Sequence, residues 1–568
     1  MNASAKDKLR LMFDKYYNYN ELTEFIERAA ALFPRLVSSA SIGRSHEGRD
    51  IWLVTVTNTA TGVAERKPAC YIDANIHAGE LTGSMAALHL LQRLTEGYGT
   101  DPQITRLLDS RTFYIIPRLN PDGAEWAVSI PPRIIRSGVR PYPDDVDADG
   151  LDLEDIDNDG RILTMRLPDP HGDWKINPVE PRLMMRRAPD ELDGQFYRLL
   201  IEGRIRNYDG DIITTAWPKQ RLDFNRNFPA EWEPEGKQGG AGPYPLSEPE
   251  TRAAAEFVTC HPNIATALCY HTFSDVLLRP PSARPDDQMP AGDLFIYTSL
   301  AKRAKELTGF ETLSSFHDFR FHPTFVTHGA MDDWLYLHRG ILSYTVELWS
   351  IAHAAGIETP KALDWLVRRP PEDDIRILHW LDETFDGQGF IPWYRFEHPQ
   401  LGPVELGGWD ALRTWMNPPL PLLEAECAKA TAMALFMGAI TPQIALRSFT
   451  ATPLGDGRHL VRAVIENTGF LATSGTQQAL AQRAIKPLRL TVELPAGAVV
   501  KLGKQTTDLD HLPGRSGKLW PWWGGSDTDN RAKTEWLIAA PHGGKLELKV
   551  DAGRAGMCQT QIDLPATS

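Results

Sequence analysis

The first residues that could do chemistry are an imidazole and a carboxylate, His77 and Glu80, three residues apart in "NIHAGE". A strand predicted over residues 69–80 ends there, and a helix is predicted over 83–94, so both side chains can aim at one point. Imidazole and carboxylate are normal zinc ligands. The same spacing is also typical of a solvated loop histidine beside a helix-capping glutamate.

A third ligand would have to come from elsewhere in the chain. His271 in "YHTF", at the end of another predicted strand, is the best candidate, although a lone histidine there would more often be structural.

The acidic stretch "DVDADGLDLEDIDNDG" at 145–160 is a second candidate metal site. Carboxylates on alternate residues, each triplet closed by Gly, are the chemistry of an oxygen-only calcium loop. Position twelve from Asp145 is Ile156, so the EF-hand pattern fails, and the ten-residue repeat instead resembles thrombospondin type 3 or dockerin-like calcium loops. The hypothesis is one or two structural calcium ions, and the alternative is a solvated acidic run. The candidate calcium ligands are Asp145, Asp147, Asp149, Asp152, Asp155, Asp157 and Asp159.

The elements that must position these residues alternate between strand and helix, which predicts an α/β sheet with functional groups at its strand ends. The segment from 131 to about 245 is irregular and rich in Pro, Asp and Gly, so it is predicted to be an ordered insertion or a set of functional loops. Helices are predicted at 20–33, 83–94 and 421–438, and strands at 51–58, 69–80, 112–123, 264–273 and 340–349.

A change of pattern near residue 440 predicts a domain boundary. Residues 441–568 contain short alternating runs broken by Gly and Pro, which is typical of a small all-β sandwich. The catalytic domain is then 1–440, with its insertion at about 131–220. The tryptophans of "LWPWWGG" (519–525) could stack on a sugar or grip a partner, but we expect them to fill the core of the sandwich or its interface.

The composition is that of a folded, soluble protein of two or three domains: 568 residues, 42% hydrophobic and 24% charged. The formal net charge is −14, and residues 144–159 alone hold eight Asp and one Glu without Lys or Arg. The remainder is nearly balanced, so neither nucleic-acid nor membrane binding is expected. Five scattered Cys suit reduced thiols, and the N-terminus lacks an export signal, so a cytoplasmic location is expected, although calcium-type loops suit an extracytoplasmic one.

Seven motifs occur in the order seen in zinc carboxypeptidases resembling carboxypeptidase A: "GRSHEGRDIWLVTV", "HAGE", "NPDG", "DFNRNFP", "PLSEPET", "YHTF" and "YTVEL". The resemblance spans roughly residues 35–350. It implies a mixed-sheet α/β/α catalytic domain, zinc ligands His77, Glu80 and His271, and Glu347 as general base and acid. The alternative for Glu347 is a strand carboxylate paired with an arginine, but a charge flanked by "YTV" and "LW" is costly to bury without a functional reason. The resemblance also implies that Asn225 and Arg226 bind the terminal carboxylate of the substrate, where an Arg fork suits a carboxylate.

The sequence leaves open which arginine faces the developing oxyanion, because "PPRIIRSGVRPYP" contains three arginines. The family's Arg-x-x-Arg stretch favours Arg136, with Arg133 close behind, and Arg140 is expected to brace the insertion.

Two positions depart from the family pattern. Phe325 falls where the family carries a mobile Tyr over the substrate, so a hydroxyl contact is missing and a hydrophobic lid is expected. Asp332 falls at the base of the specificity pocket, where an acid favours a basic terminal side chain. The alternative is that Asp332 caps the helix starting at Asp333.

The leading functional prediction is a zinc metallocarboxypeptidase that removes single C-terminal residues from peptides. One alternative is a zinc amidase or deacylase acting on small N-acyl amino acids or cell-wall peptides. The other is an inactive binding module. In the first two cases the partner is a peptide or N-acyl amino acid substrate with a free carboxylate. The sequence makes no prediction about the oligomeric state.

Overall fold

The computed structural model describes residues 9–320, 322, 324–359, 362–518 and 520–566. Its first part alternates helices and strands, beginning with a capping box in which Asn18 and Glu21 each accept the other's backbone N–H. The elements up to residue 128 are α1 (Tyr19–Leu32), β1 (Val37–Arg44), β2 (Asp50–Val56), β3 (Ala69–Ala74), α2 (Leu81–Gly97), α3 (Pro102–Ser110), β4 (Thr112–Ile116) and α4 (Pro121–Val128).

The predicted insertion consists of short strands joined by loops, and it has a small apolar core of its own around Leu151, Met165 and Ile205. Its first and last strands pair antiparallel with each other. The strands are β5 (Gly150–Leu153), β6 (Thr164–Pro168), β7 (Trp174–Ile176), β8 (Met184–Arg186), β9 (Tyr197–Ile201) and β10 (Gly203–Arg206).

The next segment completes the central sheet. It contains α5 (Pro249–Cys260), β11 (Ile264–Thr272), β12 (Val276–Arg279), α6 (Ala291–Thr308), β13 (Glu311–Ser314), α7 (Ser315–Asp318), α8 (Met331–Leu337) and β14 (Leu342–Leu348). The sheet has eight strands in the order β1-β2-β4-β3-β11-β14-β12-β13. Strands β4, β3, β11 and β14 run parallel at its centre, and every residue of β3, β11 and β14 is buried, as expected for strands covered on both faces.

Residues 349–440 add two strands to the sheet of the insertion and end in a long helix. They form α9 (Ile351–Ala354), α10 (Ala362–Arg368), α11 (Pro371–Phe385), β15 (Phe390–His398), β16 (Gly402–Trp409), a π-helical turn (Leu412–Met416) and α12 (Leu420–Ile440). The hairpin β15–β16 pairs with strand β6, which gives a six-stranded sheet of order β15-β16-β6-β9-β7-β8. The insertion and this hairpin together form what we call the second lobe.

Helices cover both faces of the central sheet, as the α/β/α prediction requires. Gly83 of α2 lies against Ala74 and Tyr270, and the Tyr270 hydroxyl donates to the carbonyl of Ala430 in α12. Side chains alternate along a strand, so neighbours of Tyr270 such as His271 point to the opposite face. Helix α8 packs against β11 and β14, which makes three layers.

The C-terminal residues form two four-stranded antiparallel sheets, β17-β18-β22-β20 and β21-β19-β23-β24, around one apolar core. This confirms the all-β prediction. The strands are β17 (Ile444–Gly455), β18 (Arg458–Asn467), β19 (Leu488–Glu493), β20 (Val499–Leu502), β21 (Thr506–Leu509), β22 (Arg531–Ala539), β23 (Gly544–Asp551) and β24 (Met557–Leu564), with α13 (Gln477–Ala481) after β18.

The expectation that the tryptophan cluster fills the core of the sandwich is wrong. Trp520, Trp522 and Trp523 are 70%, 89% and 78% exposed, and the core of the sandwich uses Trp536 instead. Leu519 lies outside the described residues. Among the described residues, no helix combines the length and apolarity needed to cross a bilayer.

Candidate active site

Three predicted ligands converge at the carboxyl ends of adjacent parallel strands. His77 and Glu80 follow β3, and His271 lies near the end of β11; all three are buried. The Glu80 carboxylate lies 2.7 Å from His77 Nδ1 and 3.0 Å from His271 Nδ1, and the two Nδ1 atoms are 3.1 Å apart. One ligand atom from each residue therefore faces a common point.

This donor set fits zinc. Two imidazole nitrogens and a carboxylate form a known catalytic zinc triad, which leaves a coordination position for water or substrate. Burial raises the pKa of Glu80, but the charges of His77 and His271 hold it well below its ordinary value. The carboxylate is therefore in the ionised form that a metal ligand needs.

Asp223 is a functional residue that the sequence reasoning missed. Its carboxylate lies 3.3 Å from His77 Nε2 and accepts hydrogen bonds from Arg136 Nε at 2.9 Å and from the backbone N–H of Asn225. A carboxylate on the second nitrogen of a ligand histidine fixes the orientation of the ring. The available signal was its place in "DFNRNFP", two residues before Asn225.

Glu347 lies beside the three ligands, because β14 pairs with β11 in a register that sets Glu347 opposite His271. Burial raises the pKa of Glu347 to about 8, and the nearby charge of Glu80 adds to that rise while His271 opposes it. A carboxyl group with a pKa near neutrality can both accept and return a proton.

The structure separates the three candidate arginines. Arg136 lines the same cavity as the ligands, with Nη1 3.5 Å from Glu80 Oε1. Arg133 instead lies over the Trp126 ring, 3.5 Å from its centroid, and is not among the described residues that line the cavity. Arg140 pairs with Glu248. Of the three, only Arg136 lines the cavity that holds the candidate ligands.

Asn225 and Arg226 also line the cavity, in the short turn after Asp223. The Arg226 side chain is mostly buried; its Nη1 donates to the Asn225 carbonyl at 2.7 Å, and its Nη2 lies 3.9 Å from Asp223. Asn225 Oδ1 accepts from the backbone N–H of Met331. The guanidinium is thereby oriented while its charge remains directed into the cavity.

The cavity, of about 200 Å³, continues to the predicted specificity residues. Phe325 lines it and is 41% exposed, whereas Asp332 is buried in the cavity wall, which it shares with Thr345. Helix α8 begins at Met331 with Ala330 as its N-cap, so Asp332 lies inside the first turn and is not the cap. Sequence reasoning missed Thr345 and Trp365, which also line the cavity.

The seven predicted calcium ligands do not form one group. Among the described residues, only Asp155, Asp157 and Asp159 place carboxylate oxygens within 4.8 Å of one another. The others face basic or amide groups: Asp145 pairs with Lys219, Asp147 and Asp152 pair with Arg206, and Asp149 accepts from Asn207. Nothing in this arrangement supports calcium at those four residues.

Comparison with known proteins gives a match to the zinc carboxypeptidase family (peptidase M14) over residues 22–155 and 197–365, which is more than half of the chain. Residues 443–563 match a domain of unknown function, DUF8731.

Individual relatives match shorter stretches. A zinc carboxypeptidase of Saccharothrix mutabilis subsp. capreolus is 34% identical over 114 residues, 20% of this chain and 26% of the relative. Carboxypeptidase A1 of Rattus norvegicus is 24% identical over 345 residues, 59% of this chain and 62% of the relative. The chain thus spans between about a quarter and three fifths of these curated relatives. A crystal structure of thrombin activatable fibrinolysis inhibitor aligns with 67% of this chain and 78% of its own, at TM-score 0.39 and 19% identity.

Proposed function

Because the chain belongs to the zinc carboxypeptidase family, we propose that it is a zinc-dependent metallocarboxypeptidase that hydrolyses the C-terminal peptide bond of peptides. The observation that carries the proposal is the shared cavity. It joins the ligand triad His77, Glu80 and His271 to Glu347 and to the cationic side chains of Arg136 and Arg226.

Each side chain has a role that its chemistry supports. Arg226, with Asn225, binds the free carboxylate of the substrate and so selects the terminal residue. Arg136 donates to the oxygen of the scissile carbonyl as negative charge develops there. When bound, zinc supplies Lewis acidity towards that carbonyl and lowers the pKa of water. Glu347 takes the proton from the attacking water and passes it to the leaving amine as the C–N bond breaks.

We propose further that the terminal residue is basic. The support is Asp332, a buried carboxyl in the wall of the cavity beside the hydroxyl of Thr345. Burial raises the pKa of Asp332, so an ammonium or guanidinium group that pairs with it would recover the ionised form. A terminal Phe or Leu would leave that carboxyl desolvated and without a cationic partner.

A peptide panel tests both proposals. The peptides share one body, end in Arg, Lys, Phe or Leu, and carry either a free or an amidated C-terminus. We expect zinc to copurify and free Arg or Lys ends to be cleaved fastest. Glu347→Gln should retain zinc and lose turnover by more than about a hundredfold.

Glu250→Gln is the matched control. Glu250 is also a buried glutamate, and burial raises its pKa to about 7, but it lies outside the cavity. It should keep normal turnover. Equal rates on amidated peptides would favour an amidase or endopeptidase, and a zinc-free protein without turnover would favour a binding module. Faster cleavage of Phe or Leu ends would discard the role of Asp332.

Calcium binding stays a proposal, narrowed to Asp155, Asp157 and Asp159. Asp155 already accepts hydrogen bonds from the backbone N–H groups of Asp159 and Gly160, which supports a compact loop. The ion would stabilise the second lobe and would take no part in the hydrolysis.

A further inference from the structure

Residues 77–80, here called the metal loop, contact a part of the chain that is more than 330 residues away. The π-helical turn Leu412–Met416 lies directly on this loop: Gly79 has no side chain, and a Cβ atom built there would overlap Met416 Sδ. The same turn is tied to the end of β14, because Trp349 Nε1 donates to the Thr414 carbonyl at 2.7 Å. The turn lies outside the residues that match the zinc carboxypeptidase family.

Asn417, which follows this turn, is fully buried and makes four hydrogen bonds. Its Nδ2 donates to the carbonyls of Gly79 at 2.7 Å and Leu412 at 2.9 Å. Its Oδ1 accepts from the backbone N–H of Thr82 at 3.0 Å and from the Thr82 hydroxyl at 2.9 Å. Both donors and both acceptor positions of the amide are therefore used.

The hydrogen bonds to Thr82 replace a missing side-chain cap at the start of α2. Glu80 occupies the N-cap position of this helix, but its side chain makes no capping hydrogen bond. A helix start leaves backbone N–H groups without partners, which a cap residue normally satisfies. Asn417 supplies the acceptor instead, so the Glu80 carboxylate stays directed at the two histidines.

We propose that Asn417 is a positioning residue that fixes the metal loop and thereby sets how tightly the protein holds zinc. This inference rests on the zinc site of the proposed function. Because Asn417 holds the Gly79 carbonyl, the peptide between the two ligands has one orientation before the metal arrives. Without that bond the loop must be ordered when zinc binds, and a lost supporting contact of this kind lowers metal affinity about 10–100-fold.

Asn417→Asp is the sharpest test, because it keeps the shape and the acceptor for Thr82 but removes the donor to the carbonyls of Gly79 and Leu412. We expect its zinc dissociation constant, measured by chelator competition at fixed pH, to rise about 10–100-fold. The absorption spectrum of the cobalt-substituted protein should also change, since it reports the ligand geometry.

Asn467→Asp is a matched control. Asn467 is also fully buried, its Nδ2 donates to the carbonyls of Leu471 and Pro513, and its Oδ1 accepts two backbone N–H groups, all within the C-terminal domain. It should lose stability but keep its zinc affinity. The inference is overturned if Asn417→Asp binds zinc within about twofold of the wild type, or if Asn467→Asp loses as much affinity.

A second pair of variants carries the test if Asn417→Asp does not fold. Gly79→Ala forces Met416 away from the loop and should weaken zinc binding, and adding Met416→Ala should restore it. Unchanged affinity in both would overturn the inference. If the wild-type protein binds no zinc, the proposed function fails with it; if the wild type binds zinc and the variants match it, only the role of Asn417 fails.

Discussion

Arg133 and Arg136 lie three residues apart in one loop, yet their surroundings differ in kind. Arg133 lies flat on the ring of Trp126, a cation–π contact at the surface of the domain. Arg136 reaches Asp223 and Glu80 inside the cavity. The two positions give a matched pair for testing which guanidinium stabilises the oxyanion.

We predict that Arg136→Ala lowers turnover of a free-acid peptide by more than about a hundredfold while zinc stays bound, because a donor aimed at developing charge is lost. Arg133→Ala should keep turnover within about threefold, because an exposed cation–π contact is worth only about 0.5–1 kcal/mol. Steady-state kinetics and zinc analysis of the two variants decide this. The assignment fails if Arg136→Ala works normally or if the effects are reversed.

At the residue scale, the sequence predicts best those groups that lie near the carboxyl end of a strand or in the loop that follows it. His77, Glu80, His271 and Glu347 belong to this class, and the structure brings them together. Asp223 and Asn417 act through hydrogen bonds to the metal loop or its ligands from distant segments. A buried polar contact between remote residues has no periodic pattern, so the sequence alone does not point to it.

At the element scale, hydrophobic alternation predicts the central sheet well. The strand predicted over 264–273 is β11, and the helix predicted over 421–438 is α12. The second lobe is less predictable, because its six-stranded sheet joins β6 to β16 across about 240 residues of sequence. Strands β6 to β9 have only three to five residues each, which is too short to show a clear period, and pairing between distant strands leaves no local signal.

The second lobe has a pH-sensitive group next to its proposed calcium site. Glu202 is fully buried and accepts the backbone N–H groups of Ile156 and Leu163. Burial, with a smaller contribution from the charges of Asp157 and Asp155, raises the pKa of Glu202 to about 7, although the two backbone N–H groups oppose that rise. A carboxyl with a raised folded-state pKa binds its proton more tightly when folded, so the free energy of unfolding falls as pH rises from about 4.5 to about 7.

We predict that added calcium raises the melting temperature of the zinc-loaded protein and makes its pH dependence between pH 5 and 7 shallower. Calcium at Asp155, Asp157 and Asp159 would neutralise the charges that raise the pKa of Glu202. The measurement is a series of melting curves over this pH range. Magnesium is the control ion, and Glu202→Gln is the variant that lacks the titrating carboxyl group. A melting temperature that calcium leaves unchanged would discard the calcium proposal.

At the scale of the whole molecule, the C-terminal domain is joined to the catalytic domain at the turn between α8 and β14. Arg554, fully buried, donates to the carbonyls of Gly340 and Arg339, and Gln478 Nε2 donates to the Leu337 carbonyl at 2.8 Å. Asp293 in turn accepts the backbone N–H groups of Gln477 and Gln478 at the start of α13. The Gln478 bond satisfies the last carbonyl of α8, the helix that carries Asp332, and the Arg554 bonds hold the turn that follows it.

The two domains should therefore unfold as one unit, and Arg554 should be the residue on which that coupling depends most. Replacing it with Met keeps the apolar volume of the stem but removes the donors to the carbonyls of Ser474 and Arg339, at about 1–3 kcal/mol for each carbonyl left unpaired, while the Thr476 hydroxyl still donates to Gly340. We predict that Arg554→Met converts a single calorimetric transition into two and lowers the first melting temperature.

Arg489→Met is the matched control, because Arg489 is an exposed arginine of the same domain that pairs only with Asp508 among the contacts described. A single transition in Arg554→Met, at the wild-type temperature, would show that the interface holds without this arginine, and coupling of α8 to the C-terminal domain would then have to rest on Asp293 and Gln478.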